Sequence, residues 1–256
     1  MKSLASINYQ KELEKIIQTA EKDKSEGKKP LRLFLHSCCA PCSSYCLEYL
    51  CPHFAITVFY YNPNISAEPE YRHRVEEQKR LIAAYNEEQR GYPIQIIEGD
   101  YEPVRFYEIA KGFEDCPEGG ERCFRCFELR LRETALRARE SLVPYDYFAT
   151  TLTISPLKNA QKINEIGQAI SAEYGIPWLP SDFKKKNGYK RSVELSAEYG
   201  LYRQDYCGCA YSKAEREREK AKREGGDIKA ENRRRGLLQK VAIPCVVIGS
   251  VKRKYT

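Results

Sequence analysis

Seven cysteines in three short segments constrain this chain more than any other feature. Three lie within five residues in the stretch LRLFLHSCCAPC (31–42), and two later pairs have the spacings CFRC and YCGC; the seven are Cys38, Cys39, Cys42, Cys123, Cys126, Cys207 and Cys209. Several thiolates gathered in one place repel one another, so a metal ion is their natural counter-charge. We therefore expect the fold to bring the three segments together at a metal–sulfur site.

The local setting of these cysteines favours thiolates. Cys123 and Cys126 lie in the first turn of a predicted helix, on one face, where the helix dipole favours negative charge. Cys38, Cys39 and Cys42 surround a predicted strand-to-helix turn, whose backbone N–H groups also favour anionic sulfur. Four cysteines would satisfy a structural zinc ion or an iron–sulfur cluster equally well, so the residues alone leave the metal open. The remaining thiols are expected to be structural: Cys46, Cys51, Cys116 and Cys245.

The beginning of the chain predicts a cytoplasmic protein. The segment MKSLASINYQKELEKIIQ becomes amphipathic at once and lacks the apolar core of a secretory signal. No apolar run approaches the roughly 20 residues that cross a bilayer, so we expect no membrane association. Reducing conditions favour metal-binding or catalytic cysteines over a disulfide framework.

Strand-like and helical patterns alternate along the chain. Strands are predicted at 31–35, 56–61, 94–98 and 147–151, and helices at 7–24, 42–50, 68–89, 101–110, 123–141 and 155–174. This alternation predicts an α/β fold with a mostly parallel sheet and helices on both faces. In such sheets ligands bind beyond the carboxyl ends of the strands, where the SCCAPC and TTLTISP turns are expected.

The composition divides the chain into three predicted parts. Residues 1–30 form an N-terminal helix, 31–212 form the metal-binding domain, and 213–256 form a basic C-terminal extension. We expect a charged helix, a break and a strand or packed tail in this extension. The formal net charge is +7, which is compatible with binding nucleic-acid phosphates. Because glutamates interleave with the basic residues, charge alone favours an ordinary solvated helix.

Polar side chains outside the cysteine segments offer further candidates. Asp100 ends the third predicted strand and would serve as a metal ligand, as an acid or as a helix cap. Residues 150–159 crowd hydroxyls at a strand end, which suits an anion site beside Lys158, although helix capping alone explains Ser155. The basic segment 184–191 suits phosphate or base contacts, or simple solvation.

A set of longer motifs resembles one known family. The segments HSCCAPC, YYNPNI, EYRHRVEEQKRL, GDYEPVRFYE, EGGERCFRCFELRLRETA, FATTLTISPLKN and LYRQDYCGC occur in this order. They are similar to the QueH-type epoxyqueuosine reductases over about residues 31–212. The extension after 212 is not part of this resemblance.

The resemblance implies a fold, a reaction and cofactors. The fold would be Rossmann-like, related to the nucleotide-hydrolase and PP-loop group, with SCCAPCSS in place of a Ser-Gly-Gly phosphate loop. The reaction would be reduction of the epoxide of epoxyqueuosine, at the wobble position of tRNA, to give queuosine. It would use a [4Fe–4S] cluster and a second iron, without cobalamin, and an external electron donor whose nature the chain does not reveal.

The resemblance also suggests roles for individual residues. Cys39, Cys123 and Cys126 would be cluster ligands. The other four, Cys38, Cys42, Cys207 and Cys209, would complete the cluster and hold the second metal or form a redox pair. Asp100 would be an oxygen ligand. Substrate contacts are predicted for Tyr60, Asn62, Thr151, Ser155, Lys158, Lys190 and Arg191, with Tyr60 or Tyr189 stacking on the base.

Two alternatives remain at this point. An iron–sulfur tRNA thiolation enzyme of the PP-loop kind would need the Ser-Gly-Gly loop that this sequence lacks. A zinc-stabilised RNA-binding module without catalysis would leave the adjacent pair Cys38 and Cys39 unexplained, because structural zinc sites favour spaced thiols.

Overall fold

The computed structural model describes residues 7–223 as a helix-flanked sheet. Its strands are β1 (Leu31–His36), β2 (Phe54–Tyr60), β3 (Gln95–Glu98) and β4 (Tyr147–Thr150). Its helices are α1 (Tyr9–Ser25), α2 (Ala40–Leu50), α3 (Glu68–Glu87), α4 (Pro103–Ala110), α5 (Glu121–Arg139), α6 (Ala160–Tyr174) and α7 (Gly188–Glu198). A short 3-10 helix, Thr151–Ile154, follows β4.

The four strands form one parallel sheet in the order β3-β2-β1-β4. His36 at the end of β1 lies opposite Phe59 on one side and Thr150 on the other. A single parallel bridge from Phe148 to Trp178 continues the sheet beyond β4. The predicted α/β, Rossmann-like class is thereby confirmed.

Alternate residues of the central strand enter two separate cores. Leu33 and Leu35 join a cluster with residues of α1, α2 and α3, whereas Phe34 joins a cluster with residues of α5 and α6. A strand buried on both faces needs a continuous apolar run, which LRLFL supplies. Both faces of the sheet are therefore covered, and the carboxyl ends of the strands remain as the place for a site.

Two helix boundaries correct the predictions. The helix expected from residue 155 begins at Ala160, because the Asn159 side chain caps it by accepting a hydrogen bond from the Lys162 N–H at 3.0 Å. Ser155 instead accepts from the Leu157 N–H at 3.3 Å, in a turn before the helix. The segment 184–191, expected to be a loop, enters α7 at Gly188.

The chain divides into two compact units after Lys213. The described part of the second unit, residues 214–223, is helical and contains an ion pair between Arg216 and Glu219 at 2.7 Å. The predicted strand or packed tail, the later basic clusters and Cys245 lie outside the described residues. Within residues 7–223, no helix is long and apolar enough to cross a membrane.

Replacing Gly167 by Ala is expected to destabilise the fold. A Cβ atom there would lie 2.4 Å from two ring carbons of Trp178, whose ring is held by a 3.0 Å bond from Nε1 to Asn164 Oδ1. Such overpacking costs about 1–3 kcal/mol, more than the helix propensity that alanine adds. The free energy of unfolding, from urea titration, should fall for Gly167→Ala and stay near wild type for the exposed neighbour Gln168→Ala. Equal stability of the two variants would contradict the packing described for this contact.

Candidate metal–sulfur site

The reversal of strand order places the first three cysteines. The connection from β1 leads to β2 on one side, and β4 lies on the other, so the turn after β1 opens into the crevice where open α/β sheets bind ligands. The turn carries Cys38 and Cys39, and Thr151 follows β4 beside them. The Cys38 N–H donates to Thr151 Oγ1 at 3.3 Å, which joins the two strand ends.

The cysteine triad, defined as Cys38, Cys39 and Cys42, has a compact geometry. Its three Sγ atoms all lie within 4.8 Å of one another, and those of Cys38 and Cys39 are 3.9 Å apart. A tetrahedral metal with bonds of about 2.3 Å holds its sulfur ligands about 3.8 Å apart. Because α2 begins at Ala40 with Pro41 in its first turn, the triad also lies at a helix N-terminus, which stabilises thiolates.

The three thiols of the triad influence one another's ionisation. Hydrogen bonds from Cys39 and Cys42, aided by the positive charges of Lys158 and Arg130, lower the pKa of Cys38 well below its usual range. The thiolate so formed raises the pKa of Cys39 to about 12, and that of Cys42 rises as well. One of the three thiols therefore ionises readily and the other two hold their protons until a metal displaces them.

The other four cysteines line one small cavity. Cys123 and Cys126 project from the start of α5, and Cys207 and Cys209 come from the segment before residue 210. We call these four the cysteine quartet. Gly119 N–H donates to Cys123 Sγ, and Ser212 N–H to Cys209 Sγ, each at 3.3 Å. Burial raises the pKa of Cys123 to about 11 and of Cys126 to about 12, so both are protonated thiols at neutral pH without a metal.

The segment of Cys207 and Cys209 is held by the turn after β2 and by α3. Ser66 N–H donates to the Gly208 carbonyl at 3.1 Å, and the carbonyl of Cys207 accepts from Asn64 Nδ2 at 3.3 Å. Gly208 has a φ of +114° and packs so closely that a Cβ atom would lie 2.9 Å from Ile65. The glycine between these cysteines is therefore required by the backbone.

Two cations connect the triad with the quartet electrostatically. Lys158 is half-buried, and although burial opposes its charge, the sulfurs of Cys207, Cys38 and Cys42 raise its pKa when they are ionised. Arg130 is completely buried, and thiolates of both groups act on its charge in the same way. All seven predicted cysteines thus lie in two groups that share these cations.

Arg130 and Arg74 are site residues that sequence reasoning missed. Arg74 is buried, pairs with Glu70 at 2.7 Å and donates to the Cys207 carbonyl at 3.4 Å. The spacing of four residues between Cys126 and Arg130 places both on one helix face, and this was the available signal.

Other predicted residues lie in varied settings. Thr151, Ser155 and Lys158 follow β4, and Asn62 is buried beside Arg130. Asp100 lies after β3 with an exposed side chain that pairs with Arg137 at 3.3 Å; its role as an oxygen ligand stays a prediction.

The proposed stacking of Tyr60 on a base needs correction. The Tyr60 side chain is completely buried, with its ring 5.6 Å from that of Tyr71, because α3 covers the end of β2. Tyr189, the other stacking candidate, remains partly exposed.

Lys190 and Arg191 lie in the first turn of α7. Arg191 pairs with Glu48 of α2 at 2.7 Å, which reduces the positive charge available for binding phosphates.

Comparison with known proteins matches this chain to one family. The family model for epoxyqueuosine reductase QueH matches residues 33–215. The chain belongs to the QueH family. Epoxyqueuosine reductase QueH of Staphylococcus epidermidis is 45% identical over 80% of this chain and 84% of its own length. That of Streptococcus pyogenes is 44% identical over 80% and 78%, and that of Thermotoga maritima is 36% identical over 72% and 91%.

Membership in the QueH family confirms the resemblance and the class of protein. The family is named for a reductase, so the chain is an oxidoreductase. This finding speaks against both alternatives, the PP-loop thiolation enzyme and the non-catalytic zinc module.

In the metal-free protein, Cys38 is expected to be alkylated at unusually low pH. Its lowered pKa leaves a thiolate where ordinary thiols are protonated, and alkylation follows the thiolate fraction. Lys158→Met removes a positive charge, so the pKa should rise and the profile of iodoacetamide modification, mapped by mass spectrometry, should move to higher pH. Lys162→Met, which removes a charge paired with Glu165, is the control. An unchanged profile in Lys158→Met would contradict this electrostatic coupling.

Proposed function

We propose that this protein reduces the epoxide of epoxyqueuosine in tRNA to the cyclopentene of queuosine, with a [4Fe–4S] cluster and a second iron held by its seven clustered cysteines. The observation that carries the proposal is the gathering of these thiols, from three distant segments, into a compact triad and a cavity-lining quartet that share the cations Arg130 and Lys158. The family of the chain supplies the reaction, since its relatives are named epoxyqueuosine reductases.

The donor set fits both metal groups. All ten cysteines in the described part of the chain are free thiols, and seven of them belong to the triad and the quartet. A [4Fe–4S] cluster takes four thiolates, which leaves three for a second iron. The buried Arg130 and the half-buried Lys158 would offset the negative charge that the thiolates acquire when a metal replaces their protons.

The seven cysteines can be assigned to the cluster and the second iron in two ways, which we call two forms. In our proposal Cys39, Cys123 and Cys126 bind the cluster, which then spans the triad and the quartet. The separation of the sulfur atoms into a compact triad and a distinct quartet favours a second form, with the cluster in the quartet and the iron in the triad. Single-cysteine variants distinguish the two.

The reaction balances with two electrons and two protons. The epoxide loses its oxygen, both carbon–oxygen bonds break, the carbon–carbon double bond forms, and the oxygen leaves as water. When bound, the cluster would supply electrons singly and the second iron would act as a Lewis acid toward the oxygen. The electrons come from an external donor.

The chain itself would position the substrate and supply a proton. Lys158 Nζ carries a proton beside the triad, and its charge is stabilised by the neighbouring thiolates. The hydroxyl of Thr151, 3.5 Å from Cys38 Sγ, fixes the orientation of that sulfur. We propose that the turn 151–158 contacts the modified nucleotide, since a base in an anticodon loop is already unpaired and costs little to present.

The metal content of anaerobically purified protein tests the proposal. We expect iron in excess of one cubane, together with acid-labile sulfide. Cys123→Ala and Cys126→Ala should lose most of the sulfide and the visible absorption, because each removes a cluster ligand. Cys46→Ala, which removes a core thiol that is 0% exposed, should keep both. Zinc without sulfide in the wild type would instead indicate the binding module.

The same measurements assign the ligands. If the cluster spans both groups, Cys39→Ala loses sulfide as Cys123→Ala does. If the cluster lies in the quartet alone, Cys39→Ala loses one iron and keeps its sulfide, whereas Cys209→Ala loses the sulfide. Retention of the full cluster in Cys123→Ala or Cys126→Ala would refute both forms.

Binding of tRNA should weaken steeply with salt. Phosphate contacts release counterions, so the logarithm of the binding constant falls linearly with that of the salt concentration. Lys158→Gln should weaken binding and reduce this slope by about 1, measured by fluorescence anisotropy with labelled tRNA. The control is Lys79→Gln, because the Lys79 ammonium already pairs with Glu76 and Glu98. A salt-independent affinity would overturn the phosphate argument.

A further inference from the structure

Arg130 is a buried cation without a carboxylate partner. Its side chain is 1% exposed, and within residues 7–223 no Asp or Glu forms an ion pair with it. A charge taken out of water costs several kcal/mol unless an opposite charge and hydrogen bonds compensate it. Arg132, by contrast, lies on the solvent-facing side of α5 and has such partners in Glu128 and Glu173.

The surroundings of Arg130 consist of neutral acceptors and sulfur. Its Nε lies 3.2 Å from His36 Nε2, its Nη2 donates to Asn62 Oδ1 at 2.5 Å, and its Nη1 lies 4.0 Å from Cys126 Sγ. The groups that favour its charged form are the sulfurs of Cys126, Cys207 and Cys38 in their ionised state, which metal binding would impose on them. The negative charge that offsets the cost of burying this cation is therefore supplied by the sulfur site.

The guanidinium is held in place from three strand ends. His36 Nδ1 lies 2.7 Å from Thr150 Oγ1 at the end of β4, and Asn62 Nδ2 donates to the Ser37 carbonyl at 2.9 Å. Both neutral acceptors of Arg130, His36 and Asn62, are thus fixed by a second contact at the sheet edge. A planar guanidinium offers five N–H donors in a fixed arrangement, whereas the ammonium of a lysine offers three donors on a flexible stem.

We propose that Arg130 is a positioning residue for electron uptake, whose fixed positive charge stabilises the reduced state of the iron–sulfur group bound beside Cys126. This inference rests on the proposed function. A one-electron reduction adds one negative charge to the thiolate-bound group, with the electron supplied by the external donor and no bond made or broken. In a buried site a nearby fixed charge acts strongly, and hydrogen bonds and charges around the sulfurs set reduction potentials.

The reduction midpoint potential of the loaded protein tests the inference. Anaerobic titration, followed by the electron paramagnetic resonance signal of the reduced state, should give a more negative midpoint for Arg130→Gln than for wild type. Arg132→Gln removes the same charge from the solvent-exposed face of α5 and should leave the midpoint unchanged. Arg130→Lys keeps the charge and should restore most of the shift, which a purely structural role would not predict.

A second variant covers the case in which Arg130→Gln does not fold. Asn62→Asp keeps the shape of the side chain and places a carboxylate against the guanidinium, so it should neutralise Arg130 and also make the midpoint more negative. Midpoints of Arg130→Gln or Asn62→Asp equal to that of Arg132→Gln would overturn the inference. Wild-type protein without iron and sulfide would instead refute the proposed function.

Discussion

The compensation of sulfur charge by buried and half-buried cations is the interaction on which this site depends. Arg74, Arg130 and Lys158 lie beside the cysteines at the carboxyl edge of the sheet, and these cysteines stabilise all three charges when they are ionised. Thiols alone could pack as apolar groups, and buried cations alone would be costly. Together they indicate a fold adapted to hold anionic sulfur, which is the condition for binding a metal cluster.

The fold and the cysteine site could be predicted because both depend on local patterns. The run LRLFL predicts a strand buried on both faces, and the alternation of such runs with helices predicts a parallel sheet. The cysteine spacings then place thiols at strand ends and helix starts without knowledge of the packing. The grouping into a triad and a quartet depends on distances between segments, which no local pattern contains.

Tertiary contacts explain the residues that the sequence did not reveal. Arg130 and Arg132 look alike in ELRLRETA, yet one is buried beside Cys126 and the other pairs with Glu128 at 2.9 Å in solvent. Tyr60 ends a strand, where a functional side chain is expected, but Tyr71 of α3 covers it. Asn159 rather than Ser155 caps α6, so residues 155–158 form a turn that leaves Lys158 beside the triad.

The turn after β2 explains how the triad and the quartet keep a defined relation. Asn62 connects Arg130 with the carbonyl of Ser37, which precedes the triad, and Asn64 bonds the carbonyl of Cys207 in the quartet. These two asparagines are separated only by Pro63, whose ring restricts the backbone between them. The parallel pairing of β1 with β2 therefore sets the position of both sulfur groups. The cluster and adjacent iron that we propose would need such a fixed spacing, because electron transfer and oxygen removal would have to act on one epoxide at the same place.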